Sequence, residues 1–114
     1  MTDEEYLAHI ETAILEIRVH TAGMNQEAYL ADSKTQRAVE RNLQIVGDAA
    51  HKLSAALKEA HRDVPWDGIY AARNVVVHHY FGVNQKILWD ILQEDLEPLL
   101  KKAQELLGRG AGQP

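Results

Sequence analysis

Residues 73–80 read RNVVVHHY and run on into Phe81 and Gly82. Three β-branched valines between an Arg-Asn pair and a His-His-Tyr triplet have the local preference of a β-strand. A strand needs a partner for its backbone groups, and no other segment offers one unless an identical strand from a second chain pairs with it. Helix is therefore the expectation for this stretch, with the valines as its buried middle.

The surrounding chain supports that choice, because helical periodicity dominates it. Leu7, Ile10, Ile14 and Ile17 repeat at spacings of 3, 4 and 3, one apolar stripe of a first helix, and Gly23 is a suitable stop for it. Ser33 with Gln36 three residues on matches a capping box for a second helix. Its seam runs Val39, Leu43, Val46, Ala50, Leu53 and Leu57 and ends near His61, before the Val64-Pro65 break. Pro65-Trp66-Asp67-Gly68 opens a third, shorter segment that contains RNVVVHHY. A last helix starts near Gln85, and Pro98 inside it predicts a kink or short break there. The spacing thus predicts an all-α, up-and-down bundle of four to five helices. One domain over residues 1–108 is expected, with 109–114 as a flexible Gly-rich tail.

Composition narrows the function. The chain of 114 residues is 46% hydrophobic and 25% charged, the balance of a folded domain rather than a disordered one. It has no cysteine, which excludes disulfides, thiolate catalysis and Cys-based zinc sites. The acidic start MTDEEYLAHI lacks the pattern of a signal peptide, and no apolar run is long enough to span a bilayer, so a cytoplasmic protein without membrane association is expected. A net charge of −5 argues against avid, non-specific binding to nucleic acid. Any RNA contact must therefore come from a local patch. Lys34, Arg37 and Arg41, opposite the seam of the second helix, form the longest one, readable as a solvated face or as a contact for an RNA backbone.

The chain has no Gly-rich phosphate loop, no His-Glu-x-x-His pair and no nucleophile elbow. The polar ends of the third segment remain. Arginine offers phosphate a rigid fork of donors, and histidine both accepts and donates a proton near neutral pH. Together they suit cleavage of RNA by its own 2′-hydroxyl. At ~100° per residue, Arg73 and His78 lie ~140° apart on a regular helix. A site using both needs a helix end, a second subunit, or both. The residues alone leave open that Arg73 and Asn74 are surface or capping groups and His78 a satisfied histidine. His78 and His79 diverge by ~100° and have no third ligand at a telling spacing, since His9, His20, His51 and His61 are scattered, so no metal is expected.

Arg73 through Val83 resembles the signature of HepT-like proteins of the HEPN superfamily: an Arg, four residues, a His, one residue and a Tyr. Lys34-Thr35-Gln36, VERNLQIVG over 39–47, Val64-Pro65-Trp66 and WDILQEDL over 89–96 are similar to family blocks in the family order. The resemblance covers nearly the whole chain except the Gly-rich tail. It implies a helical homodimer in which the motifs of two subunits meet at one cleft. It further implies a metal-independent endoribonuclease without cofactor, the toxin of a type VII-like toxin–antitoxin system. Arg73 and His78 would be the catalytic pair, with Asn74 and His79 in support and Arg41 auxiliary. Tyr80 matches the tyrosine that a nucleotidyltransferase antitoxin of the MntA type modifies with AMP. One departure stands out: position 79 is often acidic in relatives, and here it is His79.

Two readings compete. The first is the ribonuclease toxin. The second is a non-catalytic nucleotide- or RNA-binding helical module that docks a nucleotidyltransferase, which the acidic net charge favours.

Overall fold

The computed structural model describes residues 1–78 and 82–109, His78 by its backbone alone. Helix α1 spans Asp3–Thr21, α2 Gln26–Leu30, α3 Ser33–Lys52, α4 Ala55–Ala60, α5 Trp66–His78, α6 Gln85–Glu94 and α7 Leu96–Leu106. There is no strand among the described residues, so the all-α expectation holds.

Helix α1 begins where the Thr2 hydroxyl accepts the Glu5 N–H at 3.2 Å. Asp3, Glu4 and Glu5 occupy its first turn, where carboxylates face the positive end of the helix dipole. Leu7, Ile10, Ile14 and Ile17 are buried, as their spacing predicts. Gly23, at φ +77°, adopts the left-handed turn that a residue with a Cβ rarely takes.

Helix α3 does not use the capping box that its sequence suggests. Asp32 is the N-cap and accepts the Thr35 N–H at 3.0 Å, while Ser33 is already helical. The Gln36 side chain turns away from the cap and donates to the carbonyls of Tyr29 and Leu30 at 2.9 and 3.1 Å. It thereby bonds the C-terminal carbonyls of α2, a need not visible at the position of the box itself.

The seam predicts a second helix reaching about His61, but α3 stops at Lys52. Ser54 donates its N–H and its hydroxyl to Asp3, at 2.8 and 2.6 Å, and its oxygen accepts the Leu57 N–H to start α4. A serine so engaged competes with the helical ladder. The seam survives the break: Val39, Leu43, Val46, Ala50 and Leu53 are buried, and Leu57 packs against them.

The last helix also breaks, three residues before Pro98. The Asp95 N–H donates to Ile91 O at 2.9 Å and closes α6, and α7 restarts at Leu96. Restarting there places Pro98 in the first turn of α7, where its missing N–H leaves no gap in the ladder. The two loop helices and this split account for seven helices among the described residues instead of four to five.

Helix α3 is the spine, with α1 on one side and α5 on the other; α7 covers α1, α6 pairs with α7, and α2 bridges α3 and α6. That bridge is polar as well as apolar. The buried Tyr29 donates its hydroxyl to Gln85 Oε1 at 2.7 Å, and Gln85 Nε2 donates to Glu40 Oε2 at 2.7 Å. None of the described helices is long and apolar enough to cross a membrane. Of the expected tail, Arg109 is ion-paired with Glu11, and 110–114 lie outside the described residues.

The opening stretch is helical from Arg73 through His78. Its valines, however, are not the buried middle of a helix. Val75, Val76 and Val77 are each half-buried: the extensive packing of α5 is on α3, and Val76 lies against the core.

Candidate active site

Helix α5 approaches α3 most closely where Arg73 meets Gly47. A Cβ built on Gly47 would fall 2.2 Å from Arg73 Cβ, far inside van der Waals distance, so only glycine permits this packing. The closeness brings the root of the Arg73 side chain against the α3 backbone and leaves its charged end near the side chains one step further along α3.

There the guanidinium is held from three sides. Its Nε donates to Asp48 Oδ1 at 2.6 Å, and its Nη1 donates to Asn74 Oδ1 at 2.9 Å. Its Cζ lies 5.6 Å from the centre of the Tyr70 ring, within cation–π range. The Tyr70 ring in turn stacks on His51, with centroids 4.0 Å apart and planes inclined by 13°. Asp48 and His51 are one turn apart on α3, as Tyr70 and Arg73 are on α5. Two helical turns facing each other thus place a carboxylate, an imidazole, a phenol and a guanidinium in one cluster.

The Arg73 side chain is only 20% exposed, which reflects this packing, while Asp48 is more open at 41%. The two N–H groups of Arg73 Nη2 have no partner among the described residues. The cluster therefore offers a positioned, charged donor edge.

The other expected site residues fall as follows. Asn74 is beside Arg73 and supports it directly. His78 continues α5, so its backbone stays ~140° round the helix from Arg73. His79 and Tyr80 lie outside the described residues. Lys34, Arg37 and Arg41 lie along α3, with Lys34 and Arg41 exposed as expected and Arg37 65% exposed in its side chain. Arg37 pairs with Glu40 at 3.0 Å, and Arg41 reaches Gln44 at 3.5 Å. Asn42, next to Arg41, is buried and donates to Ala38 O at 3.0 Å, so it belongs to the helix rather than to the site. Arg41 and Asp48, seven residues apart, share a face of α3 to within ~20° and stand ~10 Å apart along its axis. The basic stripe therefore leads toward the Arg73 cluster.

Sequence reasoning missed Asp48, Gly47, Tyr70 and His51. Gly47 was a usable signal, since a glycine inside a helix seam marks close approach of another backbone. A separate groove of about 450 Å³ opens between α4 and the start of α5, lined by Lys58, Arg62 and Trp66 among others, and it includes none of the Arg73 cluster.

The family described as Ribonuclease HepT-like matches residues 10–106. The chain belongs to that family. Among similar proteins, a "Probable ribonuclease HepT" from Thermococcus cleftensis is 36% identical over 103 residues, 90% of this chain and 94% of the relative. A candidate RNase from Caldanaerobacter subterraneus subsp. tengcongensis is 33% identical over 106 residues, 93% and 95% of the two chains. A candidate RNase from Methanocaldococcus jannaschii is 36% identical over 87 residues, 76% of this chain and 72% of the relative. No solved structure gives a significant match. Arg73, at the centre of the cluster, is also the first residue of the Arg-x4-His-x-Tyr element by which this HepT-like chain resembles its family.

Proposed function

We propose that this HepT-like chain is an endoribonuclease toxin that cleaves RNA through the RNA's own 2′-hydroxyl, as a homodimer and without a metal. The observation that carries the reading is the Arg73 guanidinium, fixed by Asp48, Asn74 and Tyr70, with no partner on Nη2 among the described residues. Family membership and the names of the relatives point the same way.

In the proposed reaction the 2′-oxygen attacks phosphorus and a histidine, His78, accepts the hydroxyl proton. The bond to the 5′-oxygen breaks, that oxygen takes up a proton from solvent water, and a 2′,3′-cyclic phosphate remains. Arg73 stabilises the negative charge on the non-bridging oxygens, which is greatest in the transition state. The nucleophile and both ends of the proton transfer are supplied without a Lewis acid.

Two features support the homodimer reading. Arg73 and His78 diverge on one helix, and Val75 and Val77 of α5 stay only half-buried among the described residues. Joining two α5 helices would bury the valines and bring Arg73 of one subunit toward His78 of the other. His79 would then add an imidazole beside the cleft. Lys34, Arg37 and Arg41 would guide the RNA backbone along α3 toward it, supplying the local positive charge that an acidic chain needs.

Control would come from a nucleotidyltransferase antitoxin of the MntA type. The Tyr80 oxygen would bond to the α-phosphorus of ATP, pyrophosphate would leave, and AMP would occupy the cleft. The cytoplasm, where RNA and such a partner meet, is the proposed location.

Cleavage of RNA in EDTA by the wild type, lost in His78→Ala, tests the enzyme reading. Equal cleavage by both would overturn it. RNA binding by both with cleavage by neither would favour the non-catalytic module, the reading for which the net charge of −5 speaks. Co-expression with a nucleotidyltransferase of the MntA type should add AMP mass that Tyr80→Phe removes; an unchanged adduct would place the modification elsewhere.

A further inference from the structure

A phosphate-stabilising arginine must hold its fork still, yet the side chain is long and flexible. One group outside α5 is placed to do this. Asp48, on α3, takes the Nε–H of Arg73 at 2.6 Å. We infer that Asp48 is a positioning residue: it fixes the Arg73 guanidinium by its Nε so that the donors of Nη2 face the scissile phosphate. The inference rests on the ribonuclease reading of Arg73 given above.

Three observations separate this pair from an ordinary surface ion pair. An exposed pair joins two mobile side chains and contributes little. Here the carboxylate is on a short arm, and the arginine is mostly packed, only 20% exposed. The hydrogen bond also crosses between helices at the point where Gly47 lets the two backbones meet, so the side chain is referenced to α3 and not only to its own helix. Finally, the division of donors is orderly. Asp48 takes Nε, Asn74 takes Nη1, Tyr70 lies against the guanidinium face, and Nη2 remains unclaimed by the described residues.

The charge of Asp48 makes the role testable. A carboxylate beside a phosphate site opposes RNA binding, so a residue serving affinity alone would not be acidic. Removing it should leave RNA binding equal or tighter while catalysis falls. Removal of a purely structural group does not produce that split.

The test compares wild type, Asp48→Ala, Asp48→Asn, Arg73→Ala and the Asp48→Ala, Arg73→Ala double variant, on a single-stranded RNA substrate. Asp48→Ala should lower kcat about 10- to 100-fold, the scale of a misplaced catalytic group, with KM unchanged or lower. Asp48→Asn keeps an acceptor oxygen in place and should recover most of that loss. In the Arg73→Ala background, replacing Asp48 should change nothing further. In parallel, the Arg73 Nε–H signal of the RNA-free protein is followed by NMR. Its exchange with water should accelerate about tenfold in Asp48→Ala, the factor for losing a hydrogen bond to a charged group.

Unchanged kcat in Asp48→Ala, faster cleavage by it, or a loss that persists without Arg73 would overturn the inference. If wild type and Arg73→Ala cleave equally or not at all, the ribonuclease reading fails on its own. The exchange rate then decides: faster exchange upholds positioning by Asp48, and an unchanged rate overturns it. Should Asp48→Ala not fold, Asp48→Asn against Arg73→Ala gives the same comparison.

Discussion

Helix α1 and the C-terminal half of α5 are both apolar along one side, yet they end differently. In α1, Leu7, Ile10, Ile14 and Ile17 are at most 3% exposed, covered by α3 and α7. In α5, every residue from Ala72 to Val77 stays half-buried. The first helix is completed by its own chain, and its residues are explained by packing. The second keeps apolar surface and specifically held polar groups together, which packing within one subunit does not explain. Surface of that kind is where a functional reading gains support.

The contrast can be broken most forcefully at Arg73 and Ile14. Arg73→Ala should lower RNA cleavage by about 10²–10³-fold, as loss of a charge-stabilising donor does. Its urea unfolding midpoint should fall far less than that of Ile14→Ala. Ile14→Ala should do the reverse, destabilising the fold by about 2–5 kcal/mol while the remaining folded protein cleaves normally. Equal stability losses in both variants would remove the distinction between the two regions.

Gly47 is where the regions meet, so Gly47→Ala should affect both. The new Cβ collides with Arg73 Cβ, which cannot move without its backbone. A destabilisation of about 1–3 kcal/mol is expected, with a fall in cleavage beyond what that explains. Full activity at reduced stability would mean that the spacing of α3 and α5 does not set the guanidinium.

A milder effect is expected along α3. Replacing Lys34, Arg37 and Arg41 together by alanine should weaken RNA binding and flatten its salt dependence, by ~0.7 in log–log slope for each phosphate left without its cation. Arg37 should contribute least, being paired with Glu40. Unfolding should not change.

The smallest effect lies at the foot of α1. Hydrogen bonds from the Ser54 hydroxyl and then its N–H hold the Asp3 carboxyl below its usual 3.8. A depressed carboxyl contributes stability above its unfolded value and loses it as pH falls through the folded one. Acid titration of unfolding should therefore show a slightly steeper loss below pH 3.8 in wild type than in Asp3→Asn. Superimposable curves would show that the pairing adds nothing in water.

Much of this is legible in the residues themselves. The stripes of α1 and α3 are local patterns, and each buried position follows from its neighbours at three and four. Arg73 and Asn74 are singled out by the resemblance to the family signature, whereas their spacing alone leaves them open as surface or capping groups. Asp48 is singled out by neither. It is one acidic residue among several on helix surfaces, and its partner is 25 positions away. The break at Ser54 is hidden for the same reason, since it depends on Asp3, 51 positions earlier. The half-burial of the valines escapes a sequence reading because a β-branched triplet signals burial without saying what provides the cover.

At the centre stands the claim that Arg73 and His78, diverging on one α5, work as a pair across two subunits. Co-expressing Arg73→Ala and His78→Ala chains and purifying the mixed dimer tests it directly. Each variant alone should be inert. The mixed dimer holds one intact cross-subunit site and should cleave RNA again. A mixed dimer as inert as its parents would place both residues of a working site on one subunit and contradict the account.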